Sequence, residues 1–283
     1  PKAIVIDKTT ESSLFETNST YTIQLQEDGK KSPSKLVVTA HLEHGLSYFL
    51  TGVIEGTSVG KIEGPFAKEF KSLDKLFDSK IKVLENDTLI TDTKFVDLVA
   101  KDGTELKGIT SYLESTKDND TVKTNFKIGA LNSPKGQDGK SLFNLNGFEV
   151  EYNGKANDIG NNHFSVKLAE VKSIFAQVNG ISLVADSTVK GGLVDMKAAL
   201  KVDKINAAKW ENGAIDFQYS VIGVDESALK AMYDIGKKTA PQNEEEVQKS
   251  IVAMEEHAKK IFTRGIAINV DKLSFKAGQD SFN

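Results

Sequence analysis

Cysteine is absent from the 283 residues, so disulfides, thiolate metal sites and a cysteine nucleophile are excluded from this segment. Arginine is nearly absent as well. Arg264 is the only one, and every other basic residue is lysine. Bidentate recognition of phosphate, guanine or carboxylate leans on the guanidinium fork, so a chain with a single such group is not built for that task. A net charge of -4, from 40 acidic against 36 basic side chains, provides no field that gathers nucleic acid. Long apolar runs are missing too, and nothing approaches the about 18 residues of a membrane-spanning helix. The usage rich in Lys, Asn, Ile and Phe is that of an AT-rich bacterial genome.

The usual catalytic signatures are equally scarce. There is no Gly-x-Ser-x-Gly elbow, and Gly56 to Lys61 lacks the spacing of a phosphate-cradling loop. The four histidines are His41, His44, His163 and His257, and only His41-Leu42-Glu43-His44 forms a local cluster. On a strand His41 and Glu43 share a face while His44 points away, which is wrong for a compact metal site. Of the carboxylates, Asp195 between Val194 and Met196 has the most apolar neighbours, and strand alternation turns it to the polar face. The sequence therefore assigns no catalytic, cofactor-binding or metal-ligating residue, and no cofactor is expected.

What the chain does have is alternation. From His163 to Val224 the apolar residues recur at every second position: Phe164, Val166, Leu168; Ile181, Leu183; Val194, Met196, Ala198, Leu200, Val202; Ile215, Phe217, Tyr219, Val221. Period two places each set on one face of a strand, with Lys, Asp, Ser and Gln on the other. Four such runs separated by Gly and Asn predict a meander of long antiparallel strands, apolar on one side and wet on the other. Upstream, Tyr21–Gln26, Leu36–Leu42 and Tyr48–Ile54 read as three strands of a small N-terminal sheet. Ile81–Val83, Leu89–Phe95, Leu106–Tyr112 and Val122–Ile128 continue the strand texture, and Phe143–Tyr152 changes phase at Asn146-Gly147, the mark of a bulge.

Three segments depart from period two. Phe66, Phe70, Leu73, Leu76 and Phe77 fit a short amphipathic helix over residues 66–77, or a strand with bulges; the preceding Pro65 favours the helix. Ala228, Leu229, Met232 and Ile235 predict a helix over residues 226–238 with Asp225 as N-cap. Val247, Ile251, Met254, Ala258 and Ile261 predict a longer one over residues 244–264, capped by Asn243, with Lys259, Lys260 and Arg264 in its last turns and Gly265 closing it. Its apolar stripe is expected to pack on a sheet. The fold class is thus mainly β with a few α-helices (α+β): a large curved antiparallel sheet, half-barrel-like, with covering helices. Residues 1–58 form a small N-terminal β region and residues 59–283 the large sheet with its helices, or the two make one continuous domain.

From about residue 60 onward, two segments and the long stretch of β-strands between them carry a family resemblance. Gly60-Lys61-Ile62-Glu63-Gly64-Pro65 resembles the Gly-x-Ile-x-His-Gly-Pro segment of the YdgA-type family of bacterial envelope proteins, one residue shorter and without the histidine. The capped helix followed by Ile268-Asn269-Val270-Asp271-Lys272-Leu273-Ser274-Phe275-Lys276-Ala277-Gly278 resembles that family's ending. The composition is similar to that of surface lipoprotein adhesins in the same neighbourhood. The resemblance implies a lipid anchor on a cysteine upstream of Pro1, an open half-barrel with a localised apolar face, and attachment to host epithelial cells. The implied partner is a host cell-surface protein, a chaperone of the ninety-kilodalton heat-shock class.

The expectation that follows is a non-enzymatic, surface-exposed lipoprotein of the outer membrane that binds host epithelial cells. The alternative is a periplasmic or outer-membrane carrier that uses the same apolar face as a trough for a lipid or other hydrophobic ligand. An enzyme is a third reading, to be revived by His163 or His41 beside carboxylates in a deep pocket. The candidate binding face is Val194, Met196, Ala198, Leu200, Phe217 and Tyr219, and the helix over residues 244–264 decides how much of it is covered.

Overall fold

The structure is a computed structural model that describes residues 2–27, 30–117, 121–136, 139, 141–155, 159–207, 210–237, 244–263, 265–278 and 280–282. Strands make up 69% of it, and every registered pairing is antiparallel, so the chain belongs to the mainly β class. It divides into two compact units, one of Pro1–Val150 with Leu168–Gln177 and the other of Glu151–Lys167 with Val178–Asn283.

The first unit is a meander. Strands β1 (Lys2–Ser12), β2 (Glu16–Glu27), β3 (Lys30–Glu43), β4 (Val53–Glu63), β5 (Phe77–Leu84) and β6 (Leu89–Phe95) pair in chain order. Short β7 (Leu98–Val99) and β8 (Glu105–Lys107) pair with each other, β6 continues into β9 (Thr110–Ser115), and β9 into β10 (Val122–Asn132). Successive hairpins need only local turns, which explains why strand follows strand with so little helix. The β3–β4 ladder runs from Lys35↔Glu63 to Glu43↔Glu55, so β4 passes without interruption through residue 58.

Packing in this unit depends on one missing side chain. Tyr21, Val38, Gly60, Phe77 and Phe95 stand in one cross-strand row. A Cβ on Gly60 would sit 2.1 Å from the Phe77 ring, which instead folds over the bare backbone and meets Phe95 edge-on at 5.5 Å. In the adjacent row small hydroxyls are buried: Ser19, Ser58 and Ser79 are each under 10% exposed, and Ser79 is 2.7 Å from the Thr93 hydroxyl.

Three local expectations are corrected here. Tyr48–Ile54 does not form a strand over its whole length: Leu46–Thr51 is a short helix, α1, ended by Gly52 in the left-handed region at φ 66°, and only Val53 and Ile54 enter β4. The helix over residues 66–77 does not form. Pro65–Glu69 makes a 3-10 turn that brings Phe66 and Phe70 edge-on at 5.2 Å, so a contact at helical spacing exists without a helix. Leu106–Tyr112 is split into β8 and β9 at Gly108, whose φ is 63°. β1 was not anticipated, because Lys2–Ser12 is largely polar and the strand remains exposed along most of its length.

Strands β11 (Phe143–Gly154), β12 (Asn162–Ser173) and β13 (Ala176–Lys190) contribute residues to both units. Gly147, where the phase change was expected, has φ 65°, the conformation of a bulge's first residue. The second unit then adds β14 (Leu193–Ala207), β15 (Trp210–Asp225), helices α2 (Glu226–Lys237) and α3 (Glu244–Thr263), and the closing strands β16 (Ala267–Ala277) and β17 (Asp280–Phe282). β14, β15, β16 and β17 pair in that order. Asp225 caps α2 as its position promised: its Oδ1 accepts from the Ala228 N–H at 2.9 Å and from the Ser227 hydroxyl at 2.6 Å. The expected cap Asn243, the last-turn Arg264 and Lys238 lie outside the described residues.

Two bulges set the faces of this second sheet. Between Val194↔Val224 and Met196↔Val221 the register slips by one residue. Gly223, at φ 82°, takes up the slip, and Asp195 Oδ1 accepts its N–H at 2.9 Å. Without it, Val224 would point to the opposite face from Val221. On β16 the extra residue is Asp271, which the Ser220 hydroxyl holds at 3.3 Å, and the slip returns Leu273 to the face of Val270.

Candidate apolar binding site

The two bulges leave a continuous apolar face on β14, β15 and β16. Its rungs are Met196, Val221 and Ile268; Ala198, Tyr219 and Val270; Leu200, Phe217 and Leu273; and Val202, Ile215 and Phe275. The Phe217 and Tyr219 rings stack at 5.6 Å along their strand. The reverse face is polar and internally paired. Lys272 bonds Asp216, Gln218 donates to Asp216 at 3.0 Å, and Lys201 meets Asp203 at 2.7 Å. The hydrogen bond from Lys272 holds the Asp216 carboxyl below the usual aspartate range.

Helices cover one end of the apolar face and leave the rest. Val194 is wholly buried with Val224, Ala228 and Ile261, and Met196, Val221, Leu229, Met232 and Ile266 pack around them. Burying an aliphatic side chain of this size stabilises by about 1.5–3 kcal/mol, so this cluster fixes α2 and α3 to the sheet. Only the C-terminal half of the α3 stripe shares in it. Ile261 is buried, whereas Ile251 is 49% exposed, and the side chain of Val247 lies outside the described residues.

Beside this cluster a cleft of about 690 Å³ opens within the second unit. Its floor is Phe164 of β12, Ala185 of β13, Met196 and Ala198 of β14, and Tyr219 and Val221 of β15. Leu229, Met232 and Tyr233 of α2 form its other wall, at the i, i+3, i+4 spacing that aligns three side chains on one helix face. Tyr152, Ile159, Asn162 and Ser187 close one end. That end is knit together: the Tyr152 hydroxyl lies 2.8 Å from the Lys155 carbonyl, Asn162 Oδ1 accepts from the Lys155 N–H at 3.1 Å, and the Ser187 hydroxyl donates to the Ile159 carbonyl at 3.1 Å. A volume between 300 and 1,000 Å³ with mostly apolar walls is the common form of a small-ligand site.

The six residues singled out from the sequence divide into three groups. Met196, Ala198 and Tyr219 line the cleft. Leu200 and Phe217 lie one rung further along the face, outside the cleft lining, with Leu200 36% exposed. Val194 is sealed beneath the helices and touches no free space. The sequence reading missed the wall that α2 provides, although the Leu229–Met232 stripe was visible. It also left unlinked Phe164 and Val221, which belong to the alternating set.

The histidine sites are polar and open. In the first unit His41 is 3.5 Å from Glu43 on one face of β3 and bonds Asn18 at 2.8 Å, while His44 turns away to the Thr17 hydroxyl at 3.0 Å. Next to them Glu55 pairs with Lys82 at 2.7 Å, and that hydrogen bond lowers the Glu55 pKa. In the second unit His163 bonds Asp186 at 2.7 Å, with both side chains more than a third exposed. Among the described residues no group of three His, Asp or Glu side chains is close enough to hold a metal ion, and no helix is long and apolar enough to cross a membrane.

Comparison with known proteins returned one match. Residues 7–283 fit the family described as bacterial protein of unknown function, DUF945. No curated protein and no solved structure matches the chain. With nearly the whole length matched, this chain belongs to the DUF945 family of bacterial proteins.

Proposed function

We propose that this chain is a non-enzymatic binding protein of the bacterial cell envelope that takes up the apolar part of a lipid or lipidated ligand in the cleft of its second unit. The observation that carries the reading is the cleft itself: about 690 Å³, floored by four strands and walled by α2, where an apolar sheet face runs out from under its helices. Large apolar patches left open on a folded chain mark interaction sites. The half-barrel curvature and the lipid anchor upstream of Pro1 that the compositional resemblance to surface lipoprotein adhesins implies belong to this reading. A periplasmic location serves it equally well. Native mass spectrometry of the chain purified without detergent tests it. A non-covalent adduct that organic extraction removes is expected, and a bare mass together with no uptake of added lipid contradicts it.

A second reading has its own observation. Beyond the cleft, Ile268, Val270 and Leu273 are 65%, 62% and 45% exposed on β16, an apolar row suited to a protein partner. Together with the composition, which resembles that of the Campylobacter adhesin JlpA, it supports attachment to host epithelial cells through a surface protein of the ninety-kilodalton heat-shock class. Saturable binding of the purified chain to epithelial cells, lost in Val270→Asp, is the expected result. Unsaturable binding overturns it.

A further inference from the structure

We infer that the cleft reads the hydrocarbon chain of its ligand and not the headgroup; this rests on the lipid-binding reading above and specifies its substrate class. A pocket selects a polar group by leaving its own buried donors or acceptors unpaired until that group arrives, and then rejects analogues that lack it. At the polar end of the cleft the groups that could play this part are already engaged with one another. Ser187 donates to the Ile159 carbonyl at 3.1 Å and accepts from the Asn162 N–H at 3.3 Å. Asn162 Oδ1 is engaged by the Lys155 N–H at 3.1 Å and the Tyr152 hydroxyl at 3.2 Å. Tyr219 and Tyr233 are 38% and 40% exposed, so neither is a buried side chain.

The charges at the lining belong to the other side of the sheet. Lys197 is paired with Ser220, which is paired with Asn269 on the polar face, whereas its neighbours Met196 and Ala198 face the cleft. Asp186 is held by His163 at 2.7 Å, and its neighbour Ala185 lines the floor. What remains facing the space is aliphatic, aromatic and thioether: Phe164, Met196, Ala198, Leu229 and Met232. Two methionines on opposite walls adapt to a flexible chain better than branched residues would. The occupant is therefore an alkyl or acyl chain whose head, whatever its charge, remains in solvent.

The test displaces N-phenyl-1-naphthylamine from the full 283-residue chain with C16 ligands below their micellar concentrations: palmitate, palmitoyl-lysophosphatidylcholine, monopalmitoylglycerol and hexadecyltrimethylammonium. Affinities within fivefold of one another are expected, with about a fourfold loss for each methylene removed, the equivalent of 0.8 kcal/mol. A preference above fivefold for one head overturns the inference and leaves lipid binding standing. Failure of every ligand to displace the probe, or of the probe to bind, overturns both. Ala198→Phe, which fills the floor, should abolish binding. Met232→Ala, which opens the wall without adding bulk, should shift the preference to longer chains; an unchanged chain-length profile in both variants places binding elsewhere and refutes the inference.

Discussion

Replacing Asp225 with alanine tests whether the cleft wall is held where the structure puts it. Asp225 is 2% exposed, ends β15 and starts α2, so one carboxylate joins the floor strand to the wall helix. Its Oδ1 satisfies the Ala228 N–H at 2.9 Å and the Ser227 hydroxyl at 2.6 Å. Loss of an N-cap costs about 1 kcal/mol, and the Ala228 donor, on a residue only 1% exposed, has no water to turn to, which adds a further ~1 kcal/mol. The Ser227 hydroxyl is exposed and recovers its bond from solvent, so it adds little. Asp225→Ala should therefore destabilise α2 by about 2 kcal/mol. Asp225→Asn, which keeps an acceptor in place, should lose less than half of that. Amide exchange at Ala228 read by NMR is the assay: protection should fall by about thirtyfold in the alanine variant and by a few-fold in the asparagine variant. Equal protection in wild type and Asp225→Ala would refute the reasoning, and so would an asparagine variant as damaged as the alanine one.

Two further outcomes follow from the sheet. Val194→Ala removes two methyl groups from a side chain with no exposure, so it should cost about 2–3 kcal/mol, while Leu200→Ala on the same face should cost under about 1 kcal/mol; urea denaturation separates them. Asp216 has its pKa lowered chiefly by the hydrogen bond from Lys272, so its contribution is present above the ordinary aspartate range and is lost as pH falls through the lowered folded value. Asp216→Asn should melt below wild type at pH 7, and the gap should close as pH falls through the lowered folded value; a gap that persists once the carboxyl is fully protonated would show that charge is not the cause.

Much of the fold was legible because its signals are local. α2 carried both its cap and its stripe in Asp225–Ile235, and β12 to β15 carried nearly unbroken alternation. The misreadings came where an apolar pattern has a cause other than the element it imitates. Phe66 and Phe70 are spaced as on a helix because a 3-10 turn folds one ring onto the other. Tyr48–Ile54 has the residues of a strand, but Gly52 breaks it and returns the chain into β4. β1 was illegible because a largely polar strand is held by its ladder with β2, from Lys2↔Gln26 to Ser12↔Thr17, and not by a buried face.

The candidate site was half legible for a related reason. Alternation identified Met196, Ala198 and Tyr219 as one face, but which end of that face α2 and α3 would seal depends on the slip at Gly223. That slip is fixed by a hydrogen bond to Asp195 between strands, which no period in the sequence records. It places Val194 in the core and Met196 in the cleft, two residues apart.

The three methionines of the chain make the central claim directly observable. Met196 and Met232 line the cleft on opposite walls, and Met254 on α3 does not. Titration of the ¹³C-methyl-methionine protein with monopalmitoylglycerol should shift the Met196 and Met232 resonances at a common affinity and leave Met254 in place. A saturating titration that leaves Met196 and Met232 unmoved, or moves Met254 alone, would contradict the account.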